Sequence, residues 1–256
     1  MCELFGFSGR HKTLLNTELK EFFSHSGCHP NGWGLALLNQ DYNIEKEPVR
    51  ADQSQYLKER LQEPVIEKNL LAHIRLATIG PQERRNCHPF TGTDVTGRKW
   101  ILIHNGTIFD YPRMNRYIKV QNGNTDSERI LLHILDLVDT ETINRGRELK
   151  DRERFDLIDK MAVSLSQGNK LSIIIYDGET MYAHTNCHDN LHLREDGNGI
   201  CISTHPLSEG QWSSVPFCRL LGFQNGRLKY TGTQHDHEYI FNEEDMKAVY
   251  LAYSGL

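Results

Sequence analysis

Met1-Cys2-Glu3-Leu4-Phe5-Gly6-Phe7-Ser8-Gly9-Arg10 opens the chain, and the rest of the sequence reads outward from it. Cysteine is small enough for the preceding methionine to be trimmed, which leaves one residue holding both a thiol and a free α-amine. Such an amine has a pKa of about 7.7–8.0, so near neutrality part of it can act as a base. A nucleophile activated by its own N-terminal amine is an established catalytic arrangement. Leu4, Phe5, Gly6 and Phe7 then read as a strand that would anchor this terminus. Taken alone, Cys2 reads more simply as the second residue of an ordinary buried first strand, so the decision passes to the motifs that follow.

The chain has 256 residues, 38% hydrophobic and 25% charged, enough for a large core in one domain or two small ones. A net charge of -5 gives no electrostatic reason to expect nucleic acid or an anionic membrane. No apolar run approaches the roughly 20 residues of a membrane span. The first residues lack the basic start and apolar core of a signal peptide. A removable leader would also destroy the arrangement at Cys2, so the cytoplasm is the expected compartment. Cys2, Cys28, Cys87, Cys187, Cys201 and Cys218 are scattered with no C-x-x-C pair, which favours reduced thiols over a disulfide framework. His184, Cys187, His188, His192 and His205 invite a metal reading. Their spacings match neither H-E-x-x-H nor a zinc-finger pattern, and histidines bonded locally around hairpin turns explain them better.

Along the chain, residues 14–23 carry a helical apolar face, and 33–38 form a buried strand turned at 39–43 into another ending near Arg50. A short helix covers 56–61, a strand 70–75, and a polar loop 78–97. The strand 100–104 ends abruptly in Asn105-Gly106. A helix is expected over 111–119, and Thr125-x-x-Glu128 is a capping box opening a helix over 126–138. The stretch 139–154 is highly charged, and a helix follows to about Gln167. Strands then come at 172–176, 180–184, 199–203, 219–224 and 227–230. Asp177-Gly178 and Asn225-Gly226 supply hairpin turns, and 185–195 is left as a loop. Strands before and after a helical middle predict a layered α+β domain.

Four short motifs line up with Cys2. Arg75-Leu76-Ala77-Thr78-Ile79-Gly80 leaves a strand, and an arginine there can hold a small carboxylate bidentately, or simply make a surface ion pair. Asn86-Cys87-His88-Pro89 is a polar loop that could pack beside it; His88 alone reads as a structural hydrogen-bonder. His104-Asn105-Gly106 offers a side-chain amide beside an unencumbered backbone N–H, which suits an oxyanion hole, or a tight turn. In Asn124-Thr125-Asp126-Ser127-Glu128, capping and the helix dipole account for the acids, yet Asp126 could also bind an α-ammonium. Together they supply a thiol with its own base, an oxyanion hole, a cation for an α-carboxylate and an anion for an α-amine. That set suits the γ-carbonyl of glutamine or a γ-glutamyl compound.

The set Met1-Cys2-Glu3, Gly32-Trp33-Gly34, Arg75-Leu76-Ala77-Thr78, Asn86-x-His88-Pro89, His104-Asn105-Gly106 and Thr125-Asp126-Ser127-Glu128 resembles the class-II glutamine amidotransferases of the N-terminal-nucleophile hydrolase superfamily. The resemblance runs from residue 2 to at least 130. Ser203-Thr204-His205-Pro206-Leu207, followed by Trp212, resembles the stand-alone bacterial branch of that family. It implies an α+β, four-layer αββα sandwich and a single domain over residues 2–256, with core motifs in 2–130 and a C-terminal sheet portion in 170–256. It further implies that Cys2 attacks the γ-carbonyl, with Asn105 and the Gly106 N–H as oxyanion hole. Arg75 and Thr78 would hold the α-carboxylate and Asp126 the α-amine, with His88 and His104 beside the substrate. No cofactor and no metal are implied. Two features depart from the family's better-studied synthases. They carry tryptophan then alanine-threonine-histidine after the arginine, where this chain has Leu76, Ala77, Thr78 and Ile79, which removes one donor to the substrate carboxylate. No acceptor domain is evident after the last strands, so ammonia transfer would need a separate synthase subunit. The other readings are an amidohydrolase of γ-glutamyl amides and, from a different class, a catalytically silent scaffold.

Overall fold

The computed structural model describes residues 2–39, 42–207 and 210–242. Met1, and the part of the expected C-terminal sheet portion beyond residue 242, lie outside the described residues.

Two antiparallel sheets stack face to face. The first has seven strands in the order β11-β9-β10-β1-β4-β2-β3: β1 (Glu3–Leu14), β2 (Trp33–Leu37), β3 (Asn43–Glu47), β4 (Ile66–Ile74), β9 (His192–Glu195), β10 (Gly199–Ser203) and β11 (Ser213–Ser214). The second has six, β13-β12-β8-β7-β6-β5: β5 (Phe90–Thr93), β6 (Lys99–Thr107), β7 (Lys170–Tyr176), β8 (Met181–Thr185), β12 (Leu221–Gln224) and β13 (Arg227–Thr231). Helices α1 (Asn16–Ser24) and α2 (Gln55–Arg60) cover the first sheet, and α3 (Asp126–Arg145) and α4 (Asp151–Ser166) cover the second.

Three apolar layers separate these four. Phe5, Phe7, Leu35 and Ala72 face α1 and α2. Leu4, Leu71, Ile103 and Ile174 meet between the sheets. Leu102, Ile173 and Ile175 pack against Ile134, Phe155 and Ile158 of the outer helices. Both faces of each sheet are therefore covered, which is why the inner strands read as nearly continuous apolar runs. This is the αββα sandwich expected from the sequence. Among the described residues, no helix is long and apolar enough to cross a membrane.

Local readings were revised where long-range pairing won. Asn105-Gly106 is not a turn: β6 continues to Thr107 because Asn105 pairs with Ser172 and Gly106 with Leu171 in the ladder to β7. The polar loops 78–97 and 185–195 contain β5 and β9, whose edges are defined by β6 and β10. Residues 112–117 form a 3₁₀ helix, with Pro112 in its first turn and Met114 and Tyr117 buried three apart, the spacing of a three-residue turn. α1 starts two residues late because β1 extends to Leu14 along β4. α3 runs on to Arg145, aided by the Glu141–Arg145 ion pair at 2.7 Å, and ends at Gly146 in the left-handed region (φ 65°). The Asn225-Gly226 turn is as expected, both residues having positive φ.

Candidate active site

Cys2 stands just before the start of β1, a central strand of the first sheet held between β10 and β4. Glu3 pairs with Ile74 of β4, and Leu4 exchanges backbone and side-chain hydrogen bonds with Thr204: its N–H donates to Thr204 Oγ1 (2.9 Å) and its carbonyl accepts from Thr204 N–H (3.0 Å). The Ser203–Leu207 motif thus pins the terminal strand. Glu3 is buried among three histidines, His25 (2.9 Å), His29 (3.7 Å) and His205 (3.8 Å), which fixes the residue next to the thiol.

The Cys2 thiol donates to the Leu76 carbonyl (3.3 Å) and its sulfur accepts the Leu76 N–H (3.4 Å). The loop that carries Leu76 is held from several directions. Arg75 is buried and donates to the carbonyls of Ile79 (2.9 Å), Gly80 (3.0 Å) and Pro81 (3.2 Å). Asn31 Oδ1 accepts the Ala77 N–H (2.9 Å). Asn86, fully buried, donates to the Pro81 carbonyl (3.0 Å) and accepts the Asn124 N–H (2.8 Å). The Asn86–Pro89 motif therefore ties the arginine loop to the entry of α3.

At that entry Thr125 Oγ1 accepts the Glu128 N–H (3.2 Å). Glu128 does not complete a capping box; its carboxylate instead accepts the N–H groups of Asn122 (2.7 Å) and Gly123 (2.6 Å) and shapes the preceding turn. Asp126 is buried, accepting the Ile108 N–H (2.9 Å) and the Ser127 N–H (2.9 Å). One carboxylate thereby joins α3 to the end of β6, where Asn105 and Gly106 lie.

Cys2, Leu76, Thr78, Asn105, Gly106 and Lys170 line one cavity of about 60 Å³, closed by Thr107, Tyr239 and Phe241. Asn105 Nδ2 donates to Asn190 Oδ1 (3.4 Å), which also accepts from Ser172 Oγ (2.7 Å). Gly106 is required by close packing rather than by a turn: a Cβ there would fall on the Lys170 carbonyl oxygen. Arg75 and Asp126 sit behind the lining, close enough to affect the thiol electrostatically. His88 and His104 lie deeper. His88 stacks on His73 (ring centroids 4.0 Å apart), and His104 Nδ1 is 2.9 Å from Ser127 Oγ.

Burial pushes the Cys2 thiol above its ordinary pKa; the Leu76 N–H and the Arg75 guanidinium pull it down, and Asp126 adds to the rise. Burial thus favours the protonated form of the thiol. Burial lowers Lys170, partly offset by the Cys187 and Cys2 sulfurs. Burial likewise holds His88 well below its ordinary value, with His73 and His104 contributing, and depresses His104. These rings are neutral supports.

The sequence reading did not identify Lys170, Asn190, Tyr239 or Phe241. Lys170 and Asn190 sit in chain with no motif around them, and the two aromatics follow the last strand. None had a local signal. Among the described residues, no group of three or more His, Cys, Asp or Glu side chains is arranged to hold a metal ion.

The sequence matches the family described as class-II glutamine amidotransferases over residues 1–196. It is similar to an uncharacterised protein of Methanocaldococcus jannaschii, 26% identical over 90% of this chain and 71% of that protein. In fold it is similar to the crystal structure of a predicted glutamine amidotransferase from Pseudomonas aeruginosa, with a TM-score of 0.60 and 17% identity, covering 89% of this chain and 99% of that one. Glutamine phosphoribosylpyrophosphate amidotransferase from B. subtilis gives a TM-score of 0.60 at 16% identity, over 91% of this chain and 49% of that one. The chain belongs to the class-II glutamine amidotransferases.

Proposed function

We propose that this member of the family hydrolyses the γ-amide of glutamine or of a γ-glutamyl amide, with Cys2 as nucleophile. The observation that carries the reading is convergence: Cys2, Leu76 with Thr78, and Asn105 with Gly106, each from a different part of the chain, line one cavity.

Once Met1 is removed, the α-amine of Cys2 takes the thiol proton as the sulfur bonds to the γ-carbonyl carbon. Asn105 Nδ2 and the Gly106 N–H stabilise the oxyanion, the type of contribution worth about 10²–10³ in rate. Collapse breaks the C–N bond, and the departing ammonia or amine takes the proton back from the α-ammonium. Water then adds to the glutamyl thioester, giving its proton to the α-amine, and C–S cleavage releases glutamate and restores the thiol. Arg75 and Thr78 serve the α-carboxylate and Asp126 the α-ammonium. Loop carbonyls occupy three of the five guanidinium donors, so Arg75 would meet substrate with what remains, or give up a loop contact on binding. His88 and His104 back the cavity floor.

In this reading residues 2–256 act as one glutaminase-type domain in the cytoplasm, with no cofactor. If ammonia is passed on, a separate synthase subunit receives it. A silent scaffold would have no use for a thiol and a side-chain amide lining one cavity.

The test is glutamate release from glutamine and a panel of γ-glutamyl amides, by protein whose first residue is verified as Cys2 by mass spectrometry, with Cys2→Ala alongside. Release that disappears in Cys2→Ala is expected. Release surviving in Cys2→Ala, or activity in protein that retains Met1, would sink the mechanism.

A further inference from the structure

After β13 the chain does not leave the molecule. It crosses the open side of the Cys2 cavity as a strap of residues 232–242, and its fastenings are specific. Gly232 N–H donates to the Leu220 carbonyl (2.8 Å). Thr233 binds the Asp159 carboxylate of α4 through its N–H (3.0 Å) and Oγ1 (2.7 Å). His235 N–H donates to the Cys218 carbonyl (3.0 Å), and its ring nitrogen is 3.1 Å from that of His184. The main latch is Asn186, fully buried: its side chain donates to the His237 carbonyl (3.0 Å), and its own carbonyl accepts the Tyr239 N–H (2.8 Å). The same side chain also bonds the N–H of Leu171, next to Lys170 in the cavity wall. Tyr239 then stacks on Phe109 (5.9 Å, 10° between planes), and Tyr239 and Phe241 stand as the outer wall over Cys2.

Two physical points give this wall a role. The charged end of a glutamyl substrate needs a cation and an anion, which lie behind the cavity in Arg75 and Asp126; two aromatic rings offer neither. What meets the rings is the group carried on the γ-amide nitrogen. The space beneath them, about 60 Å³, is also far below the roughly 300–1,000 Å³ of ordinary ligand sites.

Building on the assignment of Cys2 as nucleophile, we propose that Tyr239 and Phe241 are specificity-determining residues, an aromatic strap that admits an unsubstituted or small γ-amide and excludes bulky amine substituents.

Two measurements on the full chain test it. In the first, Cys2 is alkylated with iodoacetamide and with the larger N-phenylmaleimide, and site-resolved mass spectrometry compares the wild type with Tyr239→Ala/Phe241→Ala. Exposed Cys28 serves as internal reference. The double variant is expected to speed N-phenylmaleimide at Cys2 by at least about tenfold, with iodoacetamide changed by less than about threefold and Cys28 unchanged. In the second, kcat/KM for γ-glutamyl-p-nitroanilide relative to glutamine is expected to rise by about tenfold or more in the same variant. An unchanged alkylation ratio overturns the strap as a size filter. If no form releases glutamate from any substrate, the glutaminase reading fails, while the alkylation ratio still decides the strap.

Discussion

The two sides of the Cys2 cavity are made differently. The floor is sheet and buried loop: Cys2 and Leu76 leave paired strands of one sheet, Asn105 and Gly106 lie within a ladder of the other, and Arg75, Asn86 and Asp126 are buried and hydrogen-bonded between them. The cover is a single strand-less segment, fastened at a few points and half open to solvent, with Phe241 63% exposed. In the proposed reaction the floor would set the geometry of charge and attack, which must hold within fractions of an ångström. The proposed part of the cover is to decide what enters. Changes to the floor should therefore cost stability or turnover, whereas changes to the cover should alter selectivity with little effect on either.

Acid should have the largest effect, and it should act on the buried structure. Burial holds His184 at about 3 and His133 at about 4, against 6.5 for an ordinary histidine, and depresses His73, His88 and His104 as well. The folded state keeps these rings neutral, while the unfolded chain takes up protons near pH 6.5. Their contribution is therefore intact above about 6.5 and lost as pH falls toward the folded values. By pH 5 His184 and His133 each cost on the order of 2 kcal/mol. Urea midpoints should fall steeply between pH 7.5 and 5. A flat profile would mean the interior is wetter than described and would erase the contrast with the cover.

Next in size is Asn105→Ala, expected to lower kcat by about 10²–10³ with KM changed only a few-fold, because the amide acts on charge that develops in the transition state. A loss confined to KM would move Asn105 from the oxyanion to ground-state binding. Smallest is Thr125→Ala. Removing the cap on α3 should destabilise by about 1 kcal/mol. KM should rise slightly, since Asp126 rides on that first turn. If stability drops without any change in KM, Asp126 is held by the Ile108 N–H alone, and the floor is more redundant than its hydrogen bonds suggest.

Much of this was legible in the sequence because the signals are local. Short, nearly continuous apolar runs marked the inner strands, Thr125 marked the start of α3, and the residues around Cys2, Arg75, Asn105 and Asp126 carried their chemistry in short motifs. Asn86 has no role legible in its own motif, because joining Pro81 to Asn124 depends on where two distant loops meet. The Asn105-Gly106 dipeptide looked like a turn by its residue types, and only the partner strand some 65 residues later keeps it extended.

The sequence alone thus determined the layered α+β class, the family resemblance and the chemical groups available, since periodicity and motif spacing are properties of neighbouring residues. The tertiary structure alone decided that Lys170 borders the cavity and Asn190 meets Asn105, that Gly106 must be glycine because of the Lys170 carbonyl, and that Tyr239 and Phe241 line the same cavity as Cys2. Those outcomes depend on contacts between residues far apart in the chain, for which local propensity carries no information.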